Sequence, residues 1–385
     1  MTLKIMWLHS HITNASGSSK YLINILRQLS SKYEITLFVQ KPITFLTEEF
    51  QALPIKIITL GESSTSDLKF WLNFSSEIRK QTFFLKNQSN NFDLVISSFF
   101  PMNVIANELE LKHLQFCFQP YAFFWDNELI QSLSFFKKIL LKYFKKQFSK
   151  LDVIATKNSK TLLTINNGSN SAIKKIYGKD SIPTYMGIDI EKAESIKDDL
   201  NLKDFKILIH STDWSSLKNT LWVIEQFSNL QHKIPNAVLM ITETSINTSE
   251  KNKALKLIKD TNTKNIRFLG TLSNTDYAKY LSSADVVIFS GSGRGITTSL
   301  FMLECMSLGV PALVTSQVSE DIIHGKTGYV YKNIDDFAHN LIEMLENDDL
   351  RYELGKNAKK YVSEKHSWTN ATSIFDKQIL ELVKK

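Results

Sequence analysis

The sequence predicts an α/β protein built from two doubly wound, parallel-sheet domains, and three observations carry that prediction. Short apolar runs rich in Val and Ile alternate with segments of helical periodicity, the pattern of strands buried on both faces. The alternation pauses over residues 187–202 and restarts near Phe205, so the same grammar is written twice. At 385 residues the chain is too long for one core and suits two domains of roughly 100–200 residues each.

In the first domain Lys4–His9 reads as a strand, residues 10–19 as a polar loop, and Leu22, Ile25, Leu26 and Leu29 fall at helical spacing before a strand at 33–39. That strand–loop–helix–strand unit is the building block of a parallel sheet covered by helices. Further strands are expected at 92–97, 113–118 and 151–156. The second series places strands at 206–210, 237–242, 266–269, 286–290 and Ala312–Thr315, with a helix at Thr220–Leu230. Domain limits follow at 1–190 and 191–366, with a last helix inside 367–385.

Composition narrows the function classes. Hydrophobic residues at 43% and charged residues at 22% describe a folded protein rather than a disordered or fibrous one. No apolar run approaches the ~18 residues of a membrane-spanning helix, and the opening MTLKIMWLH reads as a strand, not a signal peptide. Cys117 and Cys305 are too few for a disulfide framework or a cysteine-rich zinc site, and their apolar surroundings suggest buried thiols in a reducing cytoplasm. The net charge of +7 admits an anionic partner without choosing between nucleic acid, anionic lipid and a phosphorylated substrate.

Open α/β sheets bind ligands beyond the carboxyl ends of their strands, where helix N-termini favour anions. Three stretches fit. In the first, Gly17 and Ser18 follow the first strand, and Gly17 permits close backbone approach; a plain strand–helix turn is the alternative. In the second, Lys218 precedes a helix start, where the dipole disfavours a cation unless an anion is present. In the third, Thr297, Thr298 and Ser299 are natural caps for a helix that carries Glu304 between apolar neighbours. That carboxylate needs donors, either a pair of ribose hydroxyls or a neighbouring Lys or Arg.

The stretch 265–330, with NIRFLGTLSNTDYAKYLSSADVVIFS, LFMLECMSLGVPALVTS and IIHGKTGYVY, resembles the donor half of the retaining nucleotide-sugar glycosyltransferases of GT-B fold, glycosyltransferase family 4. Weaker similarity covers the Gly17 loop, PYAFFWD at 120–126 and YMGID at 185–189. The resemblance implies two Rossmann-like domains facing a central cleft, with the terminal helix crossing back to the first. It gives Glu304 the ribose hydroxyls and Lys218 the diphosphate, with Ser211 and Asp213 beside that lysine. The Phe268, Leu269 and Gly270 backbone would line the base pocket, and the Thr297, Thr298 and Ser299 amides would meet the diphosphate. Gly17 and Ser18 would approach phosphate or sugar from the first domain. Asp126, Lys218 and Glu304 become the expected catalytic set, in a reaction that retains anomeric configuration and needs no cofactor or obligatory metal beyond the nucleotide-sugar.

The chain departs from the family's pattern at Ile296, where relatives often carry Glu, at Phe118, often His, and at Ala122, often Arg. Asp126 is present, and His9, His11 and Asp213 are the candidate substitutes for those polar groups.

A basic segment lies outside that resemblance. Residues 135–150, FFKKILLKYFKKQFSK, hold six Lys and no acid. On a helical wheel Phe136, Leu140, Leu141, Tyr143, Phe144 and Phe148 form one arc, while Phe135 and Ile139 interrupt the arc of Lys138, Lys142, Lys145 and Lys146. Cationic residues interleaved with apolar ones suit an anionic membrane surface; a solvated lysine face over ordinary core is the alternative. The expectation is a cytoplasmic glycosyltransferase, peripheral on the inner face of the cell membrane, acting on a lipid-linked or glycan acceptor. A soluble transferase and a catalytically degenerate partner subunit remain the other readings. No nucleic-acid-binding module is present.

Overall fold

The apolar runs become the strands of two parallel sheets. The computed structural model describes residues 2–10, 12, 17–41, 47–61, 67–215, 218–244, 248–291 and 297–384. Unit 1 comprises Met1–Gly187 and Trp368–Lys385, and unit 2 comprises Ile188–Ser367. Among the described residues unit 1 contains β1 (Lys4–His9), β2 (Glu34–Val39), β3 (Lys56–Thr59), β4 (Leu94–Ser98), β5 (Lys112–Phe116), β6 (Thr161–Thr164) and β7 (Ile182–Pro183). Unit 2 contains β8 (Lys206–Thr212), β9 (Ala237–Glu243), β10 (Ile266–Gly270), β11 (Val286–Phe289), β12 (Ala312–Thr315) and β13 (Gly328–Tyr331). The sheet orders are β3-β2-β1-β4-β5-β6-β7 and β10-β9-β8-β11-β12-β13. All neighbours pair in parallel. In each sheet the order reverses beside the first strand, and this reversal creates the crevice where doubly wound folds bind ligands.

One expected strand is a helix. Residues 151–156 belong to the helix Phe135–Asn158, and the strand of that region is β6. LDVIAT alternates like a strand, but Phe144, Phe148, Asp152 and Ala155 continue one buried helical face. Asp152 accepts hydrogen bonds from Asn103 Nδ2 (2.8 Å), Tyr177 OH (2.8 Å) and Trp125 Nε1 (3.3 Å). Those donors satisfy a carboxylate whose pKa burial pushes up.

The last helix, Trp368–Lys384, packs within unit 1 on the helix Gly17–Leu29 and on β5. Ala371, Phe375, Ile379 and Leu382 point into its core at three- and four-residue spacing. Phe375 stacks on Trp7 (5.8 Å between centroids) and meets Phe116 edge-on (5.2 Å). Where the chain first leaves unit 1, a Cβ on Gly187 would lie 2.3 Å from the Trp368 ring, so only glycine fits that approach. Cys117 and Cys305 are both buried thiols, which burial pushes well above their ordinary pKa.

Candidate functional site

The crevice of unit 2 opens between β8 and β11, and the loop that follows β8 carries Lys218 into it. Several hydrogen bonds hold the described residues on either side of Lys218. Trp214 adopts φ 59° and its amide donates to Thr212 Oγ1 (2.9 Å). Thr220 Oγ1 lies 2.7 Å from Thr212 Oγ1 and 3.1 Å from His210 Nε2, whose other nitrogen, Nδ1, lies 3.1 Å from the Ile288 carbonyl. Ser290, just past β11, donates to the Lys218 carbonyl (3.1 Å). The network therefore ties both banks of the crevice to the backbone of Lys218, whose ammonium lies 5.4 Å from the Phe289 ring centre. Burial holds His210 down at about 4, with Lys218 adding to the effect against the Ile288 hydrogen bond. The imidazole is thus a neutral structural node near pH 7, not an acid or base.

Asp213 accepts from the Ser215 amide (2.8 Å). Burial alone would raise its pKa, but that hydrogen bonding and the nearby Lys218 hold the carboxyl below the usual range. Ser211 is buried at the carboxyl end of β8.

On the other bank, the helix Leu300–Ser307 carries Glu304. Its carboxylate accepts a 2.5 Å hydrogen bond from Tyr277 OH, on the helix Asn274–Ser283. The sequence reading allowed ribose hydroxyls or a basic side chain as donors; this phenol was missed. Burial, then the Glu304 charge, pushes the Tyr277 hydroxyl far above its ordinary range, so it remains a donor.

Capping differs from the expectation. Ser299 occupies the N-cap position but its side chain makes no cap hydrogen bond, and Thr297 instead donates to the Glu320 carboxylate. Thr298 Oγ1 is buried without a hydrogen-bond partner among the described residues. An unsatisfied buried hydroxyl is uncommon in native structures, and at a helix start it suits an anionic ligand.

A second residue missed from the sequence, Glu243 at the end of β9, joins the two loops flanking this site from beneath. Its buried carboxylate accepts from Trp214 Nε1 (2.8 Å), Lys251 Nζ (2.9 Å) and the Gly270 amide (3.2 Å). Phe268 and Leu269 are half-buried in β10, and Gly270 turns the chain at φ 65°. Trp214 packs at 5.8 Å from Phe268. In the sequence, ITETS offered only an acid after an apolar run, and nothing local identified its donors.

The unit 1 residues stand as follows. Gly17 and Ser18 open the helix after β1, at the carboxyl edge of the sheet, and Asp126 caps the short helix Ala122–Trp125. Phe118 is locked in an aromatic cluster with Phe116 and Phe99 (4.4 and 4.9 Å). His11 and Ile296 lie outside the described residues.

Comparison with known proteins fits this geometry. Residues 192–361 match the family described as glycosyl transferases group 1. An uncharacterized glycosyltransferase of Methanocaldococcus jannaschii is 22% identical over 330 residues, spanning 82% of this chain and 80% of the relative. Among solved structures, Anabaena HepE in complex with UDP superposes with a TM-score of 0.78 at 13% identity, covering 98% of this chain and 100% of that one. Sucrose-phosphate synthase from Thermosynechococcus elongatus gives 0.75 at 13% identity over 99% of both chains. The protein has the GT-B fold, residues 192–361 within its second unit match the glycosyl transferases group 1 family, and these matches support glycosyltransferase activity.

Proposed function

We propose that the protein transfers a sugar from a UDP- or GDP-sugar to a lipid-linked or glycan acceptor on the inner face of an anionic membrane. The observation that carries this reading is the crevice of unit 2, with Lys218 held on one bank and Glu304 oriented by Tyr277 on the other. Relatives in solved structures hold UDP and UDP-glucose, which supports a nucleotide-sugar as co-substrate.

As the bond from the anomeric carbon to the diphosphate breaks, negative charge builds on the leaving phosphates while the sugar becomes oxocarbenium-like. Lys218 and the amides of Thr298 and Ser299 would stabilise that charge, and Glu304 would hold the ribose. Because the Lys218 carbonyl is already held by Ser290, less reorganisation of that backbone is left for the reaction itself. Retention, and transfer without an obligatory metal, follow from the family resemblance.

The helix Phe135–Asn158 supports the membrane part of the reading. Phe135, Phe136, Ile139 and Tyr143 are all exposed beside Lys142 and Lys146. Phe136 and Tyr143, on the apolar arc of the helical wheel, face solvent, while Leu141, Phe144 and Phe148 of the same arc are buried. Lys138 and Lys145 are half-buried, Lys145 lying over the Trp125 ring at 4.9 Å.

Incubating the protein with radiolabelled UDP- and GDP-sugars and membrane lipid extract tests the proposal. Label entering the lipid or glycan fraction, and lost in Glu304→Ala, is expected. The aromatic burial of Phe118, at a position often His in relatives, favours a second reading as a donor-binding partner subunit. Nucleotide binding with no transfer to any acceptor would support that reading.

A further inference from the structure

The backbone leading to Lys218 takes an unfavourable path. Trp214 lies in the left-handed region at φ 59°, and Asn219, just past the lysine, at φ 55°. A short Asn side chain tolerates that conformation. A bulky ring does not, and such a residue persists only where its surroundings over-determine it, most often at functional sites. Two hydrogen bonds hold the buried Trp214: its amide donates to Thr212 Oγ1 (2.9 Å) and its indole Nε1 to Glu243 Oε1 (2.8 Å). The carbonyl of the next residue, Ser215, accepts from the Lys218 amide (3.1 Å). What holds Trp214 therefore reaches the backbone of Lys218 through a single residue.

Glu243 is the last residue of β9, whose seven positions are all buried. An apolar side chain would suit that environment, and a carboxylate there costs desolvation unless it is paired. Lys251 supplies the opposite charge, its Nζ 2.9 Å from the carboxylate. The remaining partners lie on both flanks. Oε1 accepts from Trp214, in the loop after β8, and Oε2 accepts from the Gly270 amide (3.2 Å), at the end of β10. Gly270 is also left-handed, at φ 65°, and the β9–β10 register shifts between Phe268 and Gly270. One carboxylate thus bridges two backbone irregularities across the adjacent strands β10, β9 and β8, at the carboxyl edge of the sheet.

We propose that Glu243 is a positioning residue of the donor site, setting the Trp214 turn that carries Lys218 at a fixed distance from the β10 edge, so that the two ends of one nucleotide are met together. The proposal rests on the donor-site reading above and deepens it: Lys218 meets the diphosphate, and the β10 edge meets the base, as the family resemblance implies. The bond to Trp214 governs the diphosphate end, and the bond to Gly270 governs the base end. Merely structural ties would stabilise unit 2 without favouring either end of a ligand.

Calorimetric titration of the full chain with the pairs UMP and UDP, and GMP and GDP, tests this, with melting temperature as the measure of folding. The parent should bind the diphosphate of at least one pair more tightly than its monophosphate. Trp214→Phe, which keeps a ring but loses the indole donor, should cut that preference about 3–10-fold and leave monophosphate binding within about two-fold. Glu243→Leu should weaken the monophosphate too, because Gly270 also loses its acceptor. Glu243→Gln, with one acceptor oxygen kept, should recover part of that loss. Should Glu243→Leu fail to fold, Trp214→Phe decides alone. A parent that binds monophosphate and diphosphate alike would overturn the proposal, as would a preference unchanged in folded Trp214→Phe, or a loss there equal for both ligands. A folded parent that binds none of the four nucleotides would sink the donor-site reading, and this proposal with it.

Discussion

The two units share one strand order around their first strands, β3-β2-β1-β4-β5-β6 in unit 1 and β10-β9-β8-β11-β12-β13 in unit 2, yet they invest their polar residues differently. In unit 2 hydrogen bonds gather at the carboxyl ends of the strands. His210, Thr212 and Thr220 bind the Lys218 loop, Glu243 ties Trp214 to Gly270, and Tyr277 holds Glu304. In unit 1 the largest polar network lies around Asp152, on the inner side of a helix whose outer side shows aromatic rings and lysines. A shared scaffold thus carries the proposed donor site in one unit and a surface of exposed rings and lysines in the other. Fold alone would not distinguish them; the placement of side chains does.

The largest effect that would sharpen this contrast is on stability. Phe375→Ala removes a fully buried ring from the core of unit 1 and should destabilise that unit by about 3–5 kcal/mol. Unit 2 should keep its own transition, so calorimetry should show one melting step moved and the other unmoved. A single shifted step would mean that the units do not unfold separately.

Much of the fold was legible because parallel strands are short apolar runs with clear ends. β1, β12 and the helix Thr220–Leu230 begin and end where the sequence places them. The failure at 151–156 arose because a buried helix turn and a buried strand look alike over six residues, and only the contacts of Asp152 decide between them. Of the site, Lys218 and Glu304 were visible as charges in the wrong company, a cation at a helix start and an acid among apolar neighbours. Glu243 and Tyr277 were not, because Trp214 and Gly270 on Glu243, and Glu304 on Tyr277, lie 27 or more residues away and only the fold joins them.

Both units bury a neutral histidine, and pH tests each. Burial, helped by Lys179, holds His113 of β5 at about 3, while His210 is held at about 4. In the unfolded chain both bind protons below about pH 6.5. The unfolded state therefore holds more protons in that window, and stability should fall as pH drops from about 6.5 toward 4. His210→Asn should flatten the pH dependence of unit 2 and leave that of unit 1 unchanged, as denaturation at several pH values would show.

Smaller effects probe each surface. Tyr277→Phe removes one donor to Glu304 and should weaken nucleotide binding by roughly 3–10-fold, equivalent to about 0.5–1.5 kcal/mol. The penalty should shrink for 2′-deoxyribonucleotides if Tyr277 acts by orienting the ribose-binding carboxylate. Lys146→Ala should weaken binding to anionic vesicles by about 1 kcal/mol, with a dependence on salt that a purely apolar contact would lack.

Calorimetric titration of the full chain with UDP and GDP tests most directly whether the crevice of unit 2 is a donor site. Saturable one-site binding is predicted for at least one of them, weakened roughly 10–100-fold by Lys218→Ala and by Glu304→Ala. Folded parent protein that binds neither nucleotide, or binding that both variants leave intact, would contradict it.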